Sequence, residues 1–130
     1  MILLQTKTLY TQLLNGTTSA SENLEKKIME VEKREKEIHA FITLDIERAR
    51  KQAKAVDAKL KKGNAGKLAG LIVALKDNIC YEGLPATSAS KMLENYYPPY
   101  NATVVNRILA DDGVIIGKTN LDEFAAGADS

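Results

Sequence analysis

Two lysines stand where a sequence of this kind could carry chemistry: Lys76 in the run ALKDN and Lys118 in the run IGKTN. Each follows a short apolar segment that reads as a β-strand, so each marks a strand's carboxyl end. In open α/β sheets the functional crevice lies beyond those ends. Lys76 leaves the more apolar of the two segments, so its ammonium is expected to be partly desolvated. Desolvation disfavours the charged form and makes a lysine a usable proton acceptor near neutral pH. The plainer reading is a lysine that marks the strand's exit into solvent, and position alone favours Lys118 less than Lys76.

Other residue types offer less. Gly117-Lys118-Thr119 invites a phosphate-loop reading, but the pattern G-x-x-x-x-G-K-[ST] is not met, because Gly113 stands one residue too close to Gly117. The intervening residues are the apolar strand itself, whereas a phosphate cradle needs free N–H groups after a strand. Cys80 is the sole cysteine and His39 the sole histidine. With no base placed beside it, the thiol reads as a small apolar filler. No His/Cys cluster has metal-ligand spacing. Tyr96, Tyr97 and Tyr100 around Pro98-Pro99 could stack on bases or on a partner, with loop packing the simpler alternative.

The elements that must position these residues follow from periodicity. Leu9, Leu13 and Leu14 suggest a helix over residues 8–14 that Gly16 stops. Ser19 and Glu22 form a capping box for the next helix, on which Leu24, Ile28 and Val31 make an apolar stripe. Glu22/Lys26 and Glu32/Lys36 are i,i+4 pairs on a face that reads as solvated. Phe41 to Leu44 is a short strand candidate. A helix over about 46–62 carries Ala49, Ala53, Val56 and Leu60 on one side and ends at Gly63. After Gly66 the character changes. LAGLIVAL (68–75) is nearly all apolar, as expected for a strand covered on both faces. Val104, Val105, Ile108 and Leu109 mark a helix that Gly113 ends, and Val114 to Ile116 is a second apolar strand. Strand, crossover helix, strand is a βαβ unit, so the two strands should be parallel. Asn120 with Glu123 is expected to cap one further helix. The reading is a helical region with one short strand over 1–66, then the beginning of an α/β core over 67–130. Two doubly covered parallel strands need neighbours on their edges, so the chain is expected to be part of a larger α/β protein.

Bulk properties narrow the function classes. A length of 130 residues with 45% apolar content is ordinary for a soluble domain. The 18 basic and 17 acidic residues leave a net charge of +1, unlike the strongly basic surface of a domain that grips phosphates directly. A lone cysteine does not imply an oxidising compartment, the start Met1 to Leu4 does not read as a signal peptide, and no run in the sequence approaches the apolar length expected of a bilayer span. The expectation is a cytoplasmic protein without a membrane role.

From Leu68 to Gly127 the segments LAGLIVALKDNI, TSASKMLENYYPPYNATVV and GVIIGKTNLDEFAAG closely resemble consecutive segments of the amidase-signature family, in family order. Within it, ASKMLENYYPPYNATVV followed by GKTNLDEFAAG is most similar to the A subunits of tRNA-dependent amidotransferases, and the TSASENL start and the AFITL strand also fit. The resemblance implies the N-terminal portion of a large α/β/α fold with a central mixed, largely parallel sheet, and a Ser–cisSer–Lys triad whose lysine falls on Lys76. Neither Ser88, Ser90 nor Ser130 matches a triad position, and the serine- and glycine-rich segment that supplies both serines is expected beyond Ser130. The chain alone is therefore expected to be inactive. By the same resemblance the substrate is glutamine, and the ammonia goes to the B member of the complex, which uses ATP and Mg²⁺ on Glu-tRNA(Gln). A small C member completes the assembly with subunits of types A and B, and no cofactor or metal is expected in this chain. Two other readings stay open: another amidase-signature hydrolase acting on a free amide, and a non-catalytic module whose helices dock on a partner.

Overall fold

The computed structural model describes residues 2–127. Four helices, α1 (Ile2–Leu14), α2 (Ala20–Ile38), α3 (Ile46–Lys61) and α4 (Thr103–Ala110), flank three strands, β1 (Phe41–Leu44), β2 (Ile72–Lys76) and β3 (Val114–Thr119). The strands form one mixed sheet in the order β1-β3-β2, with β3 parallel to β2 and antiparallel to β1. The expected βαβ unit is present, and β1 supplies the neighbour that its second strand needed.

Local chemistry accounts for the helix starts. Ser19 accepts from the Glu22 N–H while the Glu22 carboxylate accepts from the Ser19 N–H, the capping box read from sequence. A distant group reinforces it: the Asp57 carboxylate on α3 accepts from the Ala20 and Ser21 N–H groups at 2.6 and 3.2 Å. An anion there complements the positive end of α2 and locks α2 against α3. Asp45 caps α3 by accepting from the Arg48 N–H. The ion pairs on the outer face are Lys27–Glu30 and Arg50–Glu25, and Glu22 serves the cap.

Two apolar clusters sandwich the sheet. Ala20, Leu24 and Ile28 of α2 and Ala49, Ala53 and Val56 of α3 pack with Val114 and Ile116. The small alanines let the two helices approach closely. On the opposite face Ile115 and Leu75 pack with Val105, Tyr81 and Leu84. The alternation of Val114, Ile115 and Ile116 between clusters is the period-2 geometry of a strand covered on both sides.

Two expectations are corrected. The apolar run 68–75 is not one doubly covered strand. Gly70 takes φ +73°, the Leu68 and Gly70 N–H groups donate to the Asp111 and Asp112 carbonyls, and the extended chain begins only at Ile72. Within β2, Leu75 is buried whereas Ala74 and Lys76 are exposed, so this strand is covered on one face at its carboxyl end. The second correction concerns Asn120 and Glu123. Among the described residues no regular helix follows. Residues Glu123–Ala125 make a single 3-10 turn, with Phe124 and Ala125 at φ 54° and 57°. The Asn120 N–H donates to the Ala40 carbonyl, and the Glu123 carboxylate accepts from Ser90 Oγ at 2.6 Å. Tertiary partners outcompeted the local cap.

Candidate active site at the carboxyl ends of β2 and β3

Lys76 is the last residue of β2 and lies in register with Thr119, the last residue of β3. The site expected from sequence therefore stands at a carboxyl edge of the sheet. Its side chain is exposed, so the described residues do not supply the desolvation expected from sequence. The reason is the pleat: Leu75 turns into the second cluster, so Lys76 projects to the face left open here. Among the described residues no hydrogen bond or ion pair engages its ammonium.

The buried lysine is the other one. Lys118 is 0% exposed, and so is Asp77, the residue that follows Lys76. Lys118 Nζ donates to Asp77 Oδ1 at 2.9 Å and to the Pro85 carbonyl at 3.0 Å. The other carboxylate oxygen of Asp77 accepts from the Thr87 N–H at 2.9 Å and from the Thr87 hydroxyl. The Asp77 backbone is held as well, its N–H donating to the Thr119 carbonyl at 3.0 Å and its carbonyl accepting from the Ser88 N–H at 3.2 Å. An ion pair removed from water persists only when further hydrogen bonds support it, and here no buried side-chain polar atom among the described residues is without a partner.

This arrangement also settles Gly117-Lys118-Thr119. The three residues lie inside β3, with Lys118 committed to Asp77, so they form no phosphate cradle. A Cβ at Gly117 would press on the Thr43 carbonyl and come within 3.1 Å of Leu44 Cα. Glycine there is what lets β1 lie alongside β3.

Around the strand ends the backbone is strained. Ser88 and Ala89 take φ 50° and 54°, and the Phe124 N–H donates to the Ser88 carbonyl at 2.9 Å. Four non-glycine residues in left-handed conformation thus meet in two touching turns. Such outliers persist where surrounding structure over-determines them, and they gather at functional sites. Ser90 is buried and engaged with Glu123. Ser130 lies outside the described residues.

The remaining candidates play smaller parts. Cys80 Sγ lies 3.9 Å from the Tyr100 hydroxyl, a contact that raises the phenol above its ordinary pKa. His39 takes the left-handed C-cap position of α2. Tyr97 and Tyr100 are more than half exposed, so loop packing does not account for them within this chain. No three His, Cys, Asp or Glu side chains converge as a metal site among the described residues, and no described helix is long and apolar enough to cross a membrane. An apolar hollow of about 380 Å³ lies between α1 and residues 67–71. Its lining includes Lys7, Tyr10 and Lys67 and does not include Lys76.

Sequence reasoning missed the Asp77–Lys118 pair. Its partners stand 41 residues apart, beyond any local spacing rule. The available signal was a lysine inside an otherwise buried apolar run, since a charge there requires a partner.

Comparison with known proteins agrees with this fold. A family model described as Amidase matches residues 22–130. The A subunit of glutamyl-tRNA(Gln) amidotransferase from Methanosphaera stadtmanae is 52% identical over 111 residues, which is 85% of this chain and 24% of that protein. Its counterpart in Methanothermobacter thermautotrophicus is 44% identical over 129 residues, 98% of this chain and 28% of that protein. Among solved structures, native peptide amidase from Stenotrophomonas maltophilia superposes with a TM-score of 0.83 at 29% identity, over 94% of this chain and 26% of that one. An inhibitor-bound vestigial complex described as revealing the origins of an s-triazine catabolic enzyme gives a TM-score of 0.90 at 31% identity, over 94% and 27%. The chain thus spans about a quarter of the length of the curated relatives it matches. With a family match over most of the sequence and the same fold in solved amidases, the chain belongs to the amidase-signature family.

Proposed function

We propose that this chain is the N-terminal portion of the glutamine-hydrolysing A subunit of a tRNA-dependent amidotransferase, with Lys76 as its catalytic base. The observation that carries the reading is the position of Lys76: in the K-D-N run, at the carboxyl end of β2, on backbone secured by a buried ion pair. The 52% identity to an A subunit supports the choice within the family.

In the proposed reaction the neutral Lys76 amine accepts a proton, through a bridging serine, from the nucleophilic serine. That serine attacks the side-chain amide carbon of glutamine. The C–N bond breaks, ammonia leaves with the returned proton, and water then hydrolyses the acyl-enzyme to glutamate. Both serines belong to polypeptide outside this sequence, and so does the cover that must desolvate Lys76. The partners are subunits B and C: the first takes the ammonia and uses ATP and Mg²⁺ to activate Glu-tRNA(Gln), and the second joins the pair. A near-neutral net charge of +1 is compatible with tRNA being held mainly elsewhere. We place the reaction in the cytoplasm as part of this reading.

The test uses the full-length protein. Lys76→Ala should abolish ammonia release from glutamine, by a factor within the 10²–10⁴ range (roughly) of general-base catalysis or more, while circular dichroism stays unchanged because the side chain is exposed. Parental kcat in that variant refutes the assignment. The isolated 130 residues should release no ammonia. A second reading, an amidase acting on a free amide, draws on the likeness to a peptide amidase. Ammonia transfer to Glu-tRNA(Gln) in the presence of subunits B and C separates the two.

A further inference from the structure

We propose that the buried Asp77–Lys118 pair, gripped by Thr87, positions Lys76 for proton transfer, an inference that rests on Lys76 being the base. Three observations carry it. Asp77 is covalently next to Lys76 and fully buried, so whatever fixes its backbone and side chain also fixes the direction in which Lys76 leaves the sheet. The fixing groups come from two other segments: Lys118 and Thr119 at the end of β3, and Pro85 to Ser88 in the strained loop. That loop is tied in turn to residues 123 and 124 through Ser90 and the Ser88 carbonyl. The Asp77 carboxylate thus joins the end of β3, through Lys118, to the loop at Thr87.

Stability does not explain the device. A buried ion pair gains little over a well-packed apolar pair of the same volume. What it adds is direction, because the carboxylate is satisfied only when Lys118 and Thr87 both occupy their places. A lysine side chain has four rotatable bonds, and proton transfer needs its nitrogen within hydrogen-bond reach of its partner. Asp77, Lys118 and Thr87 are positioning residues: their side chains are bonded to one another and to Pro85, and they act through Lys76.

The experiment compares variants of the full-length protein in a steady-state glutaminase assay. Asp77→Asn/Lys118→Met removes both charges together while keeping volume and an acceptor for the Thr87 N–H. Thr87→Val leaves the ion pair and removes only the hydroxyl grip. We expect kcat to fall by about a hundredfold in the double variant, the scale of an ångström of misplacement, and several-fold in Thr87→Val. In both, KM for glutamine should stay within about twofold, because the ground-state contacts of the substrate are untouched. A folded double variant with parental kcat overturns the proposal, as does parental kcat in Thr87→Val should the double variant not fold. A fall expressed only in KM overturns it too. Lys76→Ala in the same preparation separates the two layers: if that variant retains activity, the base assignment fails and the positioning role falls with it. If Lys76→Ala is dead while the double variant is fully active, only the positioning role fails.

Discussion

A double-mutant cycle on Asp77 and Lys118 tests the structural premise independently of activity. In Lys118→Met the Asp77 carboxylate, 0% exposed, loses an ammonium at 2.9 Å and keeps only the two Thr87 donors. In Asp77→Asn the Lys118 ammonium, equally buried, keeps the Pro85 carbonyl at 3.0 Å and a neutral amide. Breaking a buried pair by removing one partner costs about 3–5 kcal/mol, because the survivor is an uncompensated charge. The double variant removes both charges and should cost less than either single change, roughly 1–3 kcal/mol. The coupling energy is then several kcal/mol and favourable to the pair. Urea unfolding of the full-length protein, followed by circular dichroism, reads each corner of the cycle. With urea slopes of about 1–3 kcal/mol per molar for small proteins, each single variant should lower the midpoint by on the order of 1 M. Single variants that each cost under about 1 kcal/mol, or costs that add within about 0.5 kcal/mol, would mean that water reaches the pair, and the reasoning from burial would fail.

Two further predictions concern the scaffold. Ser19→Ala removes one half of the capping box on α2 and should destabilise by about 1 kcal/mol; the Asp57 carboxylate still holds the neighbouring N–H groups, so an unchanged unfolding midpoint would show that Asp57 alone suffices. Gly117→Ala forces a methyl group against the Thr43 carbonyl and should cost about 1–3 kcal/mol. Because it pushes β1 off β3, it should also speed hydrogen exchange at the Asp45 amide, which donates to the Ile116 carbonyl at 2.9 Å; unaltered exchange there would contradict the close approach.

Where one element's own residues decided its structure, the sequence was sufficient. The capping box at Ser19 and Glu22, the alanine-lined face of α3 and the continuous apolar run of Val114 to Ile116 all act within a few residues, and each is legible in the sequence. The parallel relation of β2 and β3 followed from chain connectivity, and Lys76 could be placed at a strand's carboxyl end from the apolar run that precedes it. Three matters were settled only by tertiary structure. Gly70 and the bonds to Asp111 and Asp112 shortened β2, since backbone groups of distant residues competed with extension. Ser90 captured the Glu123 carboxylate that a local helix cap would have used. Most of all, the sequence ranked two lysines by the apolarity of the segments before them, whereas burial depends on which way the pleat points and on what covers that face. Lys118 turned inward to meet Asp77 and Lys76 turned outward, because a charge enters the interior only where a partner from elsewhere in the chain already waits for it.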